Sequence, residues 1–157
     1  MSYEKNQFRI LIQATLKEVN LYKPEAEELL MGTAAQETAL GRYIRQLGSG
    51  PALGAFQMEP NTFMDIMDNY LYYRPELKQR IIQVCNVKQL TPSTLMYNLK
   101  VAIIFCRLHY LRVSEPLPVT VKGMAKYWKE YYNTSLGSGT EAEFIEHYHK
   151  YVLPLNC

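Results

Sequence analysis

Apolar residues recur at three- and four-residue intervals along most of this chain. Phe8, Leu11, Ile12, Leu16 and Val19 predict an amphipathic first helix ending near Leu21. Pro24, followed by Glu25, Glu27 and Glu28 where the helix dipole favours negative charge, predicts a second helix running to about Leu40 and stopping at Gly41. Between Gly41 and Pro60 the density of Gly48, Gly50, Pro51 and Gly54 excludes a helix and predicts one non-helical stretch with room for a short hairpin. Helical spacing returns with Phe63, Ile66, Met67, Tyr70 and Leu71, breaks before Pro75, and continues through Leu77, Ile81 and Cys85. Thr91 and Pro92 offer a cap and a first helical position for residues 95–113. There Leu99, Ala102, Ile103, Ile104, Phe105 and Cys106 make more than one side apolar, which predicts a buried central helix. After the break at Glu115-Pro116-Leu117-Pro118 come a helix over residues 120–132 and a last one. The last opens on a capping box, Thr140 with Glu143, and carries Phe144, Tyr148, Tyr151 and Val152 on one stripe. The fold class is mostly α.

Length and composition narrow this further. The 157 residues suffice for one domain, residues 1–157, with a core that needs no disulfide or metal. The longest apolar run, Val101 to Cys106, is six residues, far short of the ~18 needed for a bilayer. Met1 to Arg9 has no apolar h-region and is not read as a secretory signal. Cys85, Cys106 and Cys157 are an odd number without a C-x-x-C pair and read as reduced thiols.

The net charge of +2 conceals a segregation: ten Lys or Arg and two acids lie between Arg74 and Lys129. On one face they would suit an anionic polymer, nucleic acid or cell envelope; otherwise they are solvated helix faces.

The most informative residue is Glu37. Leu30, Thr33 and Ala34 define the inward face of the second helix, and Glu37, seven, four and three residues on, shares it. A carboxyl group in a partly dry cleft has its pKa raised and suits a general acid. A buried acid bonded to a neighbouring side chain for structure has the same spacing. The segment Gly48-Ser-Gly-Pro-Ala-Leu-Gly-Ala-Phe-Gln-Met-Glu-Pro60 lacks the pattern of a nucleotide cradle, and its small residues with Gln57 would let a sugar approach the backbone. Glu59, Asp65 and Asp68 are candidates for a second carboxylate, and ordinary solvated or capping acids otherwise. Ser49 has no base beside it in the sequence. His147 and His149 diverge on a helix, and Glu143 with His147 lacks a third ligand, so neither a metal nor another cofactor is expected. His109, in the most apolar helix, reads as a core or edge histidine.

Ala35-Gln36-Glu37-Thr38, then Ala52-Leu53-Gly54-Ala55-Phe56-Gln57 with Pro60, then Tyr131-Tyr132-Asn133 together resemble the three signature motifs of soluble lytic transglycosylases. The match in order and rough spacing covers about residues 25–135, and the stretch from Trp128 to Thr134 resembles small phage-encoded proteins of this type. Thr38 stands for the usual Ser, Pro51 for a Gly and Glu59 for a Met, while Thr134 and Ser135 follow the Tyr-Asn pair. The resemblance implies a lysozyme-like domain with the glycine-rich segment beside its cleft. It implies Glu37 as acid and base, Gln57 lining the cleft, Tyr132 and Asn133 orienting the acid and the sugar, and Gly54 and Thr38 as further substrate-binding positions.

The activity implied is cleavage of the β-1,4 bond between N-acetylmuramic acid and N-acetylglucosamine in peptidoglycan. One carboxyl group suffices when the substrate's own C6 hydroxyl attacks its anomeric carbon. The expected partners are peptidoglycan glycan strands and phage virion proteins, with nucleic acid not expected. Without a signal, the protein would be made in the host cytoplasm and reach the wall in a virion or by release. The alternative from another class is a virion structural or wall-binding protein of the same fold.

Overall fold

The computed structural model describes residues 2–48, 50–133 and 137–153. Ser49, Thr134, Ser135 and Cys157 lie outside them. Helices dominate: α1 (Lys5–Glu18), α2 (Pro24–Thr38), α3 (Pro60–Asn69), α4 (Pro75–Cys85), α5 (Thr94–Tyr97), α6 (Leu99–Leu111), α7 (Val121–Trp128) and α8 (Glu141–His147). A 3-10 turn, Leu71–Tyr73, joins α3 to α4, and α7 and α8 run on into π-helical turns, Lys129–Asn133 and Tyr148–Val152. Among the described residues the pairing of extended chain is limited to two antiparallel bridges, Arg45 with Leu53 and Leu53 with Met58. They fall within residues 41–58, whose described residues contain no helix.

The central helix explains how the chain is arranged. Ala102, Ile103, Cys106 and Tyr110 on one side of α6 join a core built from α1, α2, α7 and α8. Val101, Ile104, Phe105 and Leu108 on the other side join a second core with Met58, Phe63, Ile66, Leu71 and Ile81. Each set follows helical spacing, so α6 is buried along two stripes and serves as a shared wall. Close approach on the first side is permitted by Gly32, where a Cβ would stand 2.5 Å from the Phe144 ring. Among the described residues, no helix is long and apolar enough to cross a membrane.

Two helix boundaries differ from expectation. The second helix stops at Thr38, before Gly41, because Ala39 and Leu40 already adopt left-handed conformations with φ of 50° and 63°. The Ala39 and Leu40 N–H groups bond back to the Ala35 and Ala34 carbonyls, and Leu40 turns inward to the core. The helix expected from Thr91-Pro92 through Val113 is interrupted at Asn98, whose extended backbone separates α5 from α6. The Asn98 side chain accepts from the Val101 N–H and donates to the Cys85 carbonyl, so it caps α6 and ties it to α4.

At the far end of α2 the acids expected as dipole partners do more. Arg9 bonds both Glu27 and Glu28, whose other contacts are the hydroxyls of Tyr22 and Tyr148 at 2.7 and 2.6 Å. This network fastens α1, α2 and the last π turn together and raises the Tyr22 pKa to about 12 through its bond to Glu27.

Candidate active site

The turn of α2 that carries Glu37 opens onto a cavity of about 580 Å³. Its walls come from α2 (Gln36, Glu37), the non-helical segment (Tyr43, Arg45, Gln46, Gln57), and the end of α7 with its π turn (Trp128, Tyr132, Asn133). Periodicity aimed Glu37 at the interior, and it does lie at a partly buried position between core and cavity. Its Oε2 accepts a 2.9 Å hydrogen bond from the indole Nε1–H of Trp128. Burial pushes the Glu37 carboxyl up to about 7, against the pull of the Trp128 bond, which favours the carboxylate. Burial dominates because one neutral donor replaces only part of a carboxylate's hydration. The group therefore holds a transferable proton near neutral pH.

The other expected site residues fall into two groups. Gln57, Tyr132 and Asn133 line the cavity; Thr38 and Gly54 do not. Gln57 sits at φ 50°, a left-handed conformation for a non-glycine residue, and donates through Nε2 to the Gly54 carbonyl at 3.0 Å. Thr38 is fully buried. Its hydroxyl donates to the Ala55 carbonyl at 2.6 Å and accepts from the Gly41 N–H at 2.8 Å, which fastens the end of α2 to the glycine-rich segment. Gly54 is buried at φ +81°, and a Cβ there would stand 2.3 Å from the Leu95 carbonyl oxygen. Both positions shape the wall without presenting a surface to a ligand.

The Tyr-Asn pair is not bonded to Glu37. Tyr132 donates its hydroxyl to the Phe56 carbonyl at 2.6 Å and stacks on Tyr110 at 5.3 Å between centroids. The Asn133 Oδ1 accepts from Lys129 Nζ at 2.8 Å, and the same ammonium donates to the Gly137 and Gly139 carbonyls. Lys129 thus uses all three of its donors, one within the π turn and two on the segment beyond it. The hydrogen bond to the acid comes from Trp128, fully buried against Phe144 and covered by Gly139, where a Cβ would lie 2.6 Å from the indole.

Three further residues that line the cavity were not assigned to it from the sequence. Trp128 carried a usable signal: a lone buried indole needs an acceptor for its N–H, and Glu37 is an acid aimed inward. His109, read as a core or edge histidine, lines the cavity. Gln36 also lines it, its Oε1 accepting from His147 Nδ1 at 2.6 Å, a pairing 111 residues apart that no spacing rule reveals.

Of the candidate second carboxylates, Glu59 lines the cavity at an exposed position. Asp65 is paired to Arg112 at 2.8 Å and also bonded by Asn69, contacts that hold its carboxyl below the usual range. Glu143, part of the capping box with Thr140, reaches the cavity rim as well. Among the described residues no three His, Cys, Asp or Glu side chains are grouped to hold a metal ion.

The basic run from Arg74 to Lys129 does not present one free face. Arg107 is buried and donates to the Leu21 carbonyl, Arg112 pairs with Asp65, Lys100 with Glu18, and Arg80 bonds the Glu18 carbonyl. Arg74 lies 3.8 Å over the Tyr70 ring, and Lys129 is occupied as described. Six of the ten cations are thus committed to contacts inside the molecule.

Comparison with protein-family models, with curated proteins and with solved structures gives no match to this chain.

Proposed function

We propose that this protein is a peptidoglycan-cleaving enzyme of lysozyme-like fold that acts on the β-1,4 bond between N-acetylmuramic acid and N-acetylglucosamine, with Glu37 as its acid and base. The observation that supports the reading most is the state of Glu37: a carboxyl group at a cavity wall, protonated up to about pH 7 by burial and aimed by the Trp128 indole. The wall around it is rich in amides and hydroxyls, namely Gln36, Gln46, Gln57, Asn133, Thr62 and Tyr43, groups suited to a polar, largely uncharged polymer such as a glycan.

The reaction needs one such group. Neutral Glu37 donates its proton to the glycosidic oxygen as the bond from the anomeric carbon to that oxygen breaks. The resulting carboxylate then takes the proton of the C6 hydroxyl of the same muramic acid residue as its oxygen bonds the anomeric carbon. Glu37 ends protonated, and no water is consumed. Nothing in this sequence requires Glu59 or Asp65.

Mass spectrometry of digested peptidoglycan tests the proposal. Anhydromuropeptides support it, and reducing ends replace it with a muramidase that uses the same acid. Binding of wall fragments without release of soluble sugar, over varied pH and salt, replaces the enzyme with a wall-binding virion protein.

A further inference from the structure

His109 stands near the end of α6 with its ring in the cavity wall. Its Nε2 lies 3.0 Å from the Tyr131 carbonyl oxygen. A carbonyl only accepts, so Nε2 carries the proton and the Nδ1 of the neutral ring is a bare acceptor. Burial lowers the imidazole pKa against the bond to the Tyr131 carbonyl, which favours the charged ring; Arg112 lowers it further and Asp65 opposes. The Nδ1 atom is buried without a hydrogen-bond partner among the described residues. The polar contact of the ring with its surroundings is thus made by Nε2 alone.

Those two contacts converge on one short segment. Residues Lys129–Asn133 form a π turn, a wide and weakly bonded geometry whose last carbonyls have no partner within the helix. His109 satisfies the carbonyl of Tyr131 and meets Tyr132 edge to face, with centroids 5.0 Å apart and planes at 88°. Tyr132 is thereby held between α6 and the Phe56 carbonyl of the non-helical segment. The residue directly before the turn is Trp128, the donor to Glu37.

We propose that His109 is a positioning residue for the reaction assigned above: from the rigid central helix it fixes the register of the π turn, and so sets both Tyr132 in the cavity wall and the Trp128 indole on Glu37. The inference rests on that functional reading for its catalytic consequence, and on the geometry alone for its structural one.

The test uses the full chain and two amide substitutions that reach different lengths. The Gln amide nitrogen can occupy the place of Nε2 and donate to the Tyr131 carbonyl; the Asn amide reaches only as far as Nδ1. Trp128 is the single tryptophan, so its emission reports directly on its contact with Glu37 as that group titrates. In H109N the amplitude of the pH-dependent emission change should fall at least about twofold, and kcat on glycan strands roughly 10- to 100-fold with KM within about twofold, the scale for a misplaced reacting group. H109Q should restore the emission change and bring kcat to within about threefold of wild type.

Emission requires no substrate, so it decides on His109 even where the wild-type protein cleaves no glycan. A folded H109N with the full emission change, or a folded H109Q as impaired as H109N, overturns the proposal. A two-bond 1H–15N spectrum of the wild-type imidazole needs no variant: the neutral Nε2–H tautomer supports the proposal and the Nδ1–H tautomer overturns it.

Discussion

The Nε1–H of Trp128 lies 2.9 Å from Oε2 of Glu37, joining two residues 91 positions apart. The contact sets two effects against each other on one group. The indole favours the charged form, burial favours the neutral form, and burial prevails to leave the carboxyl near 7.

Because this tryptophan is the only one in the chain, its fluorescence should titrate with a midpoint of about 7 in the wild-type protein. The Glu37→Gln variant should lose that transition while keeping its far-ultraviolet circular dichroism. A transition that survives in Glu37→Gln would have to come from another group, and a midpoint near 4.5 would show that Glu37 is well hydrated.

The same shift fixes how stability depends on pH. The folded-state pKa of Glu37 lies above its unfolded value of 4.5, so between about 4.5 and 7 the native state binds the extra proton and stability falls as pH rises. That rise corresponds to roughly 3 kcal/mol lost by pH 8. Glu37→Gln, neutral at every pH, should therefore be more stable than wild type at pH 8 by up to about that amount and nearly equal to it at pH 4. Urea unfolding at the two pH values checks this. Activity in Glu37→Gln should fall by about 10²-fold or more at all pH values.

Thr38 should reveal itself as a fastening, since its hydroxyl joins the end of α2 to Ala55 and Gly41. Thr38→Val removes that hydroxyl from a buried site and leaves its partners unsatisfied, at a cost of about 2–4 kcal/mol summed over the lost bonds. Thr38→Ser keeps the hydroxyl and should cost about 1 kcal/mol or less, mostly from the missing methyl. Equal stability of the two variants in thermal unfolding would contradict the assignment.

Gly54→Ala confronts backbone on both counts: φ is +81°, and the new Cβ would press on the Leu95 carbonyl. Neither is a flexible side chain that can move aside. The variant should lose about 3 kcal/mol or more, with KM and activity of whatever fraction folds changed through the displaced wall. A Tm within a degree or two of wild type would show that α5 and the glycine-rich segment move apart readily.

Much of the architecture was legible because it follows from local rules. Pro24 opens α2 where a proline can stand first, and Thr120 and Thr140 cap α7 and α8. The two-sided apolar pattern of α6 correctly marked a central helix. Boundaries failed where tertiary contacts overrode local preference. Ala39 and Leu40 take the left-handed conformations normally left to glycine because Leu40 has a core to enter, and Asn98 breaks a run of apolar residues because it can reach Cys85.

The candidate site was legible at the level of Glu37, whose position depends only on helical period. The residues around it were not, because Trp128 and His109 reach the cavity through packing between helices distant in sequence. Motif order implied an orienting role for Tyr132 and Asn133, while the hydrogen bond to Glu37 comes from Trp128, the residue directly before their turn.

The two cores flanking α6 are assembled from different kinds of chain. The one without the acid draws almost entirely on residues 58–108, a continuous stretch that can collapse on itself as soon as it is synthesised. The other needs α1 and α2 from the beginning of the chain and residues 124–152 from near its end, and it closes only when the two meet. Glu37 is made before Trp128 and Phe144, and its carboxyl is pushed up only when the indole, packed on Phe144, arrives to cover it. Until that moment it is an ordinary, ionised glutamate, and a nascent chain would hold this acid in its charged form.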